Sequence, residues 1–427
     1  MWTMVFVKSS AQYTNEWGDA YFTEVEIYTI KNYLVQSKFE KVIGVNCSAD
    51  ERRFDTVLYF NINYWGNMKR LGNLITEENI THDFCLNAIE EAARHKHKKL
   101  SVQKVFSNID KYADLLKEMI LNDTFTPNKY IYEERIENGK IRKLHKPKFF
   151  PDTCPHHILI MLIQDKLVKR IDPYAVASIK GRGQMKAFKA IKKWITYDKK
   201  GTTYVIKGDI EKFFDNVQPD VLMECYKRFI KDKKYLSLKA KVVYSCKSLP
   251  LGNYCSAFDA NLLLKEMDSV IRSQPTVKHY VRYMDDFVAF CDDWEKAKLI
   301  KPLVEKVLRK YKLKPKHTYQ LFRLENRGLD FIGYRFYPNK IILRKRVLKG
   351  ILNQTIRISK LKIIPVKDAQ GITSRLGVAT HCYSKKIFNF VHKNINMYVI
   401  KDIIRENSRL ISYKMNGKPY TPKRILV

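Results

Sequence analysis

Two adjacent acids, Asp285 and Asp286, are enclosed by apolar and aromatic residues in the segment His279–Phe290. This pattern predicts a strand, a tight turn that holds the acids, and a second strand. A second segment, Tyr204–Phe214, predicts a strand that delivers Asp209 at its end, before the chain turns into a helix. If the strands are neighbours in one sheet, the three carboxylates converge.

A cluster of three carboxylates repels itself unless cations lie within it, and its hard oxygen ligands suit Mg²⁺. The chemistry that fits is two-metal phosphoryl or nucleotidyl transfer, with the ions about 3.5–4 Å apart. The alternative is that the Asp pair is fortuitous, since Asp292–Asp293 is another pair nearby. That second pair precedes Trp294–Lys298 without an apolar strand, which predicts a helix N-cap.

The charge of the chain is strongly positive. The 427 residues include 79 Lys and Arg, and the formal net charge is +35. This charge indicates a polyanionic partner, with nucleic acid favoured over an anionic membrane. Because no apolar run of about 18 residues and no signal-peptide pattern at Met1–Tyr13 is present, we expect a cytoplasmic protein without a membrane partner. The 8 Cys contain no C-x-x-C pair, which suits reduced thiols.

The length allows two or three small cores, and 45% hydrophobic residues are enough to fill them. Short mixed segments in Met1–Asn67 carry no chemistry. Beyond them, helical periodicity predicts helices over Glu78–Ala93, Val102–Leu121, His157–Val168, Gln218–Lys231, Ala257–Ile271, Trp294–Lys312, Val347–Lys360 and Lys385–Lys401.

Clusters of cations provide candidate phosphate contacts. The segment Tyr130–Lys148 predicts a hairpin that turns at Asn138–Gly139, and its cationic return strand could grip a triphosphate or a template backbone. The G-R-G of Ser178–Ala187 could bind phosphate at a helix N-terminus or be a plain turn. The basic run after Ala93 is either a phosphate contact or a solvated face, and its candidates are Lys96, Lys98 and Lys99.

The loop Ser248–Ser256 runs into a predicted helix. It could lie beneath a base pair, where Gly252 would allow close approach of the backbone, or it could be an ordinary turn.

Taken in order, six segments resemble a reverse transcriptase of the bacterial kind found in diversity-generating retroelements, retrons and phage-defence systems. The resemblance covers residues 68–346 and is loose beyond them. The segments are Arg142–Pro147, Ser178–Gly183, Asp209–Phe214, Leu249–Ser256, Tyr283–Asp286 and Leu329–Phe336.

This resemblance implies roles for individual residues. The metal-binding carboxylates would be Asp209, Asp285 and Asp286. Phe214 matches the aromatic steric gate that excludes a ribose 2′-OH, and Lys316 lies where a basic residue could protonate pyrophosphate. The implied nucleotide contacts are Arg142, Lys146, Arg182, Phe214, Leu251 and Gly252. The implied nucleic-acid contacts are Asn253, Tyr283 and Gly333, the last in a segment that resembles the primer grip.

Two departures from the family pattern affect the nucleotide loop. Leu251 stands where retroviral enzymes carry Gln, and Ala257 stands where a Gln often follows the Ser. Both changes remove polar contacts near the incoming nucleotide, which predicts relaxed nucleotide selection.

The expected fold is therefore an α+β right-hand polymerase with fingers at 68–200, a palm at 201–336 and a helical thumb at 337–427, after a small N-terminal extension at 1–67. The expected activity is RNA-directed DNA synthesis from dNTPs with two Mg²⁺ ions, or Mn²⁺, on an RNA template or dedicated non-coding RNA. Untemplated or protein-primed DNA synthesis and a catalytically inactive nucleic-acid-binding scaffold are the alternatives. A DNA product follows from either synthetic activity, and an accessory protein or a second copy is a further candidate partner.

Overall fold

The computed structural model describes residues 69–137 and 140–415, together with five short strands nearer the N-terminus. Most of the predicted N-terminal extension and the Asn138–Gly139 turn lie outside these residues. The short strands are β1 (Met4–Lys8), β2 (Tyr13–Thr14), β3 (Ala20–Tyr21), β4 (Glu26–Tyr28) and β5 (Thr56–Tyr59). Strand β1 pairs antiparallel with both β4 and β5, and β2 pairs with β3.

The remaining elements mix helices and strands, as an α+β fold requires. Those before residue 200 are α1 (His82–Ala93), α2 (Leu100–Phe106), α3 (Ile109–Leu121), β6 (Ile131–Glu137), β7 (Lys140–Lys146), α4 (Cys154–Val168) and α5 (Gln184–Tyr197). Then come β8 (Tyr204–Gly208), α6 (Phe213–Asn216), α7 (Pro219–Phe229), α8 (Lys233–Tyr244), α9 (Ser256–Leu263), α10 (Lys265–Arg272), β9 (Val277–Tyr283), β10 (Asp286–Cys291), α11 (Trp294–Lys298), α12 (Ile300–Lys310) and β11 (Gln320–Arg323). The last are α13 (Leu324–Arg327), β12 (Leu329–Phe331), β13 (Tyr334–Phe336), β14 (Ile341–Leu343), α14 (Lys345–Ser359), α15 (Val366–Ala379), α16 (Lys385–Asn394) and α17 (Met397–Met415).

The chain divides into two compact units. The first unit comprises residues 1–187 and 206–321, and the second comprises residues 188–205 and 322–427. The division into fingers, palm and thumb stays a prediction. No helix in the described part of the chain is both long and apolar enough to cross a membrane.

Helix α4 forms part of the core of the first unit. Ile158, Leu159, Ile160 and Ile163 are fully buried. Because Cys154, Pro155, His156 and His157 are buried as well, the first half of α4 is surrounded by protein. The predicted core helix is therefore confirmed, although it begins earlier, at Cys154, with a proline in its first turn.

A four-stranded sheet with the order β11-β8-β10-β9 carries the predicted acids. Strands β9 and β10 form the predicted antiparallel hairpin, with Tyr283 opposite Asp286 and Val281 opposite Val288. Strand β8, which is β10's other neighbour, ends at Gly208, one residue before Asp209. The sheet thereby brings the end of β8 and the β9–β10 turn to adjacent positions.

Several stretches that were predicted as single helices each contain two helices in the structure. The stretch 102–121 is divided between α2 and α3, 257–271 between α9 and α10, and 294–312 between α11 and α12. The stretch 385–401 covers α16 and the start of α17. Apolar periodicity continues across such breaks because both helices bury residues in the same core, so periodicity alone does not reveal the break.

Helices α8 and α15 were not predicted. Helix α8 begins after Asp232, whose carboxylate accepts a hydrogen bond from the Tyr235 N–H at 2.9 Å, and the same carboxylate accepts from Leu74 N–H at 2.6 Å. The Asp232 cap was the sequence signal for this helix.

The second unit contains a small antiparallel sheet with the order β12-β13-β14. Leu329 pairs with Phe336, so residues 329–336 contain an antiparallel strand pair. The Phe188 ring packs against Tyr334 and Phe336, with centroid distances of 4.6 and 5.5 Å. An ion pair between Arg357 and Asp368 joins α14 to the first turn of α15.

The close packing of β8 on β10 generates a stability prediction. A Cβ atom at Gly208 would lie 2.2 Å from Cζ of Phe287, which is fully buried. Gly208→Ala should therefore lower the free energy of unfolding by about 1–3 kcal/mol through overpacking. Urea unfolding measures this change.

The matched control is Gly377→Ala in α15, because an added Cβ there meets no atom within 4 Å. That change should be neutral or stabilise by up to about 1 kcal/mol through helix propensity. Equal stability of Gly208→Ala and the parent protein would contradict the packing described for this strand pair.

Candidate active site

Asp209 is placed by backbone pairing on both sides of the strand end. The Lys316 N–H donates to the Asp209 carbonyl at 2.8 Å, and the Glu211 N–H donates to the Lys314 carbonyl at 3.0 Å. Ile210 and Pro315 form the antiparallel bridge between these bonds. The backbone that carries Asp209 is therefore fixed to the segment that carries Lys316.

The β9–β10 turn places the other two acids. Tyr283 and Asp286 are paired, so Met284 and Asp285 are the two central residues of the turn. Met284 has a φ of 56°, a left-handed conformation that is uncommon for a bulky residue. Two-residue hairpin turns require such a conformation, and strained residues of this kind concentrate at functional sites.

The carboxyl groups of Asp209 and Asp285 lie close enough to interact directly. Burial raises the pKa of Asp285 to about 7, and the Asp209 carboxylate adds to the shift by its charge and by a shared hydrogen bond. The charge of Asp286 acts in the same direction. A pair of carboxylates in this arrangement favours a bound proton or cation.

Lys316 provides a cation beside this group. Its Nζ donates to Asp209 Oδ2 at 2.8 Å, and this hydrogen bond raises the pKa of Lys316. The side chains of Lys316 and Asp209 are 32% and 24% exposed, so the pair is accessible from solvent. The structure therefore brings all four predicted catalytic residues together.

The carboxylates do not by themselves complete a metal site. Among residues 69–137 and 140–415, no group of three or more His, Cys, Asp or Glu side chains is arranged to hold a metal ion. Burial and the charge of Asp209 together raise the pKa of Asp285, and a divalent cation bound beside the two carboxylates would offset their repulsion. Carboxylate oxygens are ligands that Mg²⁺ prefers, and substrate phosphates commonly complete its coordination.

The two phenylalanines after Asp209 have different surroundings. Phe213, at the start of α6, is 1% exposed, whereas Phe214 is half-buried. Their rings meet edge to face at a centroid distance of 5.3 Å. Phe213 therefore fills the core and leaves the Phe214 ring partly accessible; contact of that ring with a sugar stays a prediction.

The predicted triphosphate cations occupy different settings. Arg142 and Lys146 lie on β7, where Arg142 is opposite Arg135 and Lys146 forms an ion pair with Glu133 of β6. The Arg182 guanidinium instead bonds main-chain carbonyls, those of Asp172 at 2.6 Å, Ala175 at 3.1 Å and Val168 at 3.2 Å. These bonds favour a structural role for Arg182 at the loop before α5.

The loop before α9 is attached to β7. The His145 N–H donates to the Leu251 carbonyl at 2.7 Å. Gly252 has a φ of 122°, and a Cβ there would lie 2.2 Å from the His145 carbonyl oxygen. The glycine at this position therefore allows the close approach of the His145 backbone, and contact of Gly252 with a base pair stays a prediction. Asn253 is 8% exposed and donates to Tyr130 Oη at 2.7 Å, so its amide nitrogen is engaged within the protein.

The remaining predicted contacts are spread over several elements. Lys96 Nζ donates to the Ala92 carbonyl at 3.0 Å, so this cation caps the end of α1, whereas Lys98 and Lys99 are exposed. Tyr283 is 37% exposed at the end of β9. Gly333 belongs to the β12–β13 turn in the second unit and has a φ of 87°. Their contacts with nucleic acid stay predictions.

Arg282, next to the acidic turn, was not among the predicted residues. It is fully buried and forms an ion pair with Asp268 of α10. A charged residue within strand β9, three residues before Asp285, was the available signal, because a fully buried charge requires a partner.

A comparison with known protein families matches the region that contains these site residues. Residues 155–336 match the family model described as "Reverse transcriptase (RNA-dependent DNA polymerase)", so this part of the chain is similar to reverse transcriptases. Asp209, Asp285, Asp286 and Lys316 all lie in the matched region. The resemblance to reverse transcriptases is thereby confirmed; the bacterial origin and the class of retroelement stay predictions.

A curated protein matches a shorter part of the chain. The protein "Nuclear intron maturase 1, mitochondrial" of Arabidopsis thaliana is 26% identical over 107 residues, which are 25% of this chain. The match spans only 14% of the length of that relative.

The interaction of Asp285 with Asp209 predicts how stability depends on pH. The folded protein holds the Asp285 proton up to about pH 7, whereas the unfolded chain releases it near the ordinary pKa of 3.8. Stability is therefore lost as the pH rises between these values. With metal chelated, Asp285→Asn should melt at a higher temperature than the parent near pH 8 and at about the same temperature near pH 4.

The matched control is Asp292→Asn. Burial alone would raise the pKa of Asp292, but hydrogen bonds from Lys278 and Thr276 outweigh it and lower that pKa. This variant should be less stable than the parent near pH 8, and the difference should shrink as the pH falls. A lower melting temperature for Asp285→Asn near pH 8 would contradict the proximity of the two carboxylates.

Proposed function

We propose that the protein synthesises DNA from dNTPs on an RNA template, with two Mg²⁺ ions held by Asp209, Asp285 and Asp286. The observation that carries the proposal is the convergence of Asp209 with the acidic β9–β10 turn inside the matched reverse transcriptase domain. A cluster of acids at the ends of adjacent strands is suited to nucleotidyl transfer, and the raised pKa of Asp285 is the electrostatic sign of a cation site.

Each residue of the site has a proposed role. Mg²⁺, when bound, supplies activation of the attacking 3′-hydroxyl and neutralises charge on the triphosphate. Lys316 is the proposed proton donor to pyrophosphate, and Asp209 keeps it protonated by raising its pKa. Lys316 Nζ donates to Asp209 Oδ2 at 2.8 Å, and it would be available for that proton transfer if Asp209 held a cation.

The proposed sugar selection rests on Phe214. A ring beside the deoxyribose would clash with a ribose 2′-OH, and its neighbour Phe213 already supplies the packing of this segment. The half-buried Phe214 is therefore left with an accessible surface that the core does not require.

The wider assignment follows the resemblance to bacterial reverse transcriptases. It comprises a right-hand arrangement of fingers, palm and thumb, a dedicated non-coding RNA as template, and a role in phage defence or a retroelement in the cytoplasm. The formal net charge of +35 supports a nucleic-acid partner, and an accessory protein or a second copy completes the proposed partners.

Removal of the turn carboxylates tests the assignment. Asp285→Asn combined with Asp286→Asn should lower dNTP incorporation on an RNA template with a DNA primer to background, because these carboxylates hold the ions. RNA binding should stay near that of the parent. Radiolabelled primer extension and filter binding measure the two quantities.

The control replaces the neighbouring pair, Asp292→Asn with Asp293→Asn, which lies in the same unit and should retain incorporation. Parent activity without any template would instead favour untemplated or protein-primed synthesis. RNA binding by a parent protein that incorporates no nucleotide on any template would favour a scaffold.

Phe214→Ala should separate DNA from RNA synthesis. Loss of the ring opens space for a 2′-OH, so ribonucleotide incorporation should rise while deoxynucleotide use falls modestly. The measurement is the ratio of rNTP to dNTP incorporation, with thermal melting alongside.

Phe213→Ala is the matched control. Because Phe213 is 1% exposed, its loss should cost about 3–5 kcal/mol of stability and leave the nucleotide ratio unchanged. If Phe214→Ala left the ratio of rNTP to dNTP incorporation unchanged and lowered the melting temperature, the Phe214 ring would have only a packing role, like that of Phe213.

A further inference from the structure

The guanidinium of Arg282 connects the acidic turn to the core. Arg282 is fully buried, and its Nε and Nη2 donate to the two carboxylate oxygens of Asp268 at 2.6 and 2.7 Å. Its Nη1 donates to Asn261 Oδ1 at 3.1 Å and to the Met284 carbonyl at 2.7 Å. The last contact lies within the turn that carries Asp285.

The Met284 carbonyl belongs to the central peptide of the turn, the peptide whose N–H is that of Asp285. In two-residue hairpin turns, types I′ and II′ differ mainly by a flip of this peptide. Met284 has a positive φ, whereas Asp285 does not, which is the pattern of type II′. A hydrogen bond to the central carbonyl therefore selects one of the two orientations.

The turn sequence itself does not favour this conformation. Type II′ prefers glycine at the first central position, and Met284 occupies that position with a φ of 56°. A bulky residue persists there only where its surroundings fix the backbone. The Arg282 guanidinium is such a constraint, because it bonds the peptide that follows Met284.

The guanidinium is itself fixed from elements outside the turn. Asp268 of α10 also accepts a hydrogen bond from Tyr280 Oη at 2.6 Å, and Asn261 of α9 donates to the Ala177 carbonyl at 3.1 Å. The Arg282 backbone is held as well, since its N–H donates to the Tyr174 carbonyl at 2.9 Å. The turn is thus bonded to a framework that does not depend on the catalytic carboxylates.

We infer that Arg282 is a positioning residue that holds the Met284–Asp285 peptide in one orientation and so directs the Asp285 carboxylate toward the metal ions. Asp268 and Asn261 fix the guanidinium that does this. The inference rests on the proposed function for its catalytic consequence, and its effect on cation binding can be measured without DNA synthesis.

The test compares two charge-conserving changes in buried ion pairs. Arg282→Lys keeps a cation beside Asp268 but lacks the forked donors that reach Met284 and Asn261 together. Lys239→Arg is the control, since Lys239 is fully buried and paired with Asp259 at 2.8 Å in the same unit. Asn261→Ala removes one support of the guanidinium without altering its charge pair.

Mn²⁺ binding to the full-length chain, followed by the electron paramagnetic resonance of free Mn²⁺, is the first readout. The part of the Mn²⁺ binding that is lost in the double variant, Asp285→Asn with Asp286→Asn, is assigned to the site. Arg282→Lys should weaken that portion by about 10–100-fold, the range typical of residues that support metal ligands. Asn261→Ala should weaken it less, and Lys239→Arg should leave it unchanged.

Steady-state primer extension is the second readout. Arg282→Lys should lower kcat by about 100-fold with little change in the KM for dNTP, because misplaced ligands impair the chemical step. A folded Arg282→Lys protein with Mn²⁺ affinity and kcat near those of the parent would overturn the inference. The inference would also be overturned if Lys239→Arg lost Mn²⁺ affinity in proportion to a drop in its melting temperature. That result would show that reduced stability in general weakens Mn²⁺ binding.

Two further results are decisive. If Arg282→Lys does not fold, Asn261→Ala decides: parent-like Mn²⁺ affinity overturns the inference, and weaker affinity at an unchanged melting temperature supports it. If the parent binds Mn²⁺ through Asp285 and Asp286 but makes no DNA, the proposed function fails while the Mn²⁺ comparison still tests the role of Arg282.

Discussion

The site depends on the repulsion between two carboxylates held at adjacent strand ends. Left to relax, Asp209 and Asp285 would separate or one would remain protonated, and burial together with the charge of Asp209 raises the pKa of Asp285. The fold opposes separation by fixing both backbones, Asp209 through its pairing with the Lys316 segment and Asp285 through the hairpin turn. The energy of this unfavourable arrangement is what a bound cation recovers.

Buried charge pairs supply much of the rigidity that this arrangement requires. Desolvation makes such pairs costly, and their net contribution to stability is often small, whereas loss of one partner is strongly destabilising. Arg282 with Asp268 and Lys239 with Asp259 are both inaccessible to solvent. The first pair bonds the acidic turn directly, whereas the second is closed by Tyr226 Oη, which donates to Asp259 at 2.6 Å. The same physical device therefore serves the geometry of the site in one place and the core in another.

The cationic ribbon formed by β6 and β7 is attached to the first unit at its base. His145 bonds the loop carbonyl of Leu251, Gly252 allows the two backbones to meet, and Asn253 holds Tyr130. Farther along the ribbon, Arg135 and Arg142 are direct cross-strand neighbours, and Arg135 is paired with Glu133 at 2.9 Å. The ribbon thus combines a firm base with a cationic outer part, whose contact with a phosphate-bearing ligand stays a prediction.

The amino-acid sequence by itself determined the elements whose signals are local. The strand that ends before Asp209, the hairpin around Asp285 and Asp286, and the cationic ribbon followed from alternation and turn residues, because each depends on a few neighbouring residues. Tertiary structure decided the rest. Arg182 bonds carbonyls as far away as Val168, Gly252 faces His145, and Arg282 finds Asp268 on another element. A buried polar group must be paired, but the partner that pairs it is selected by packing between distant segments, which periodicity along the chain does not encode.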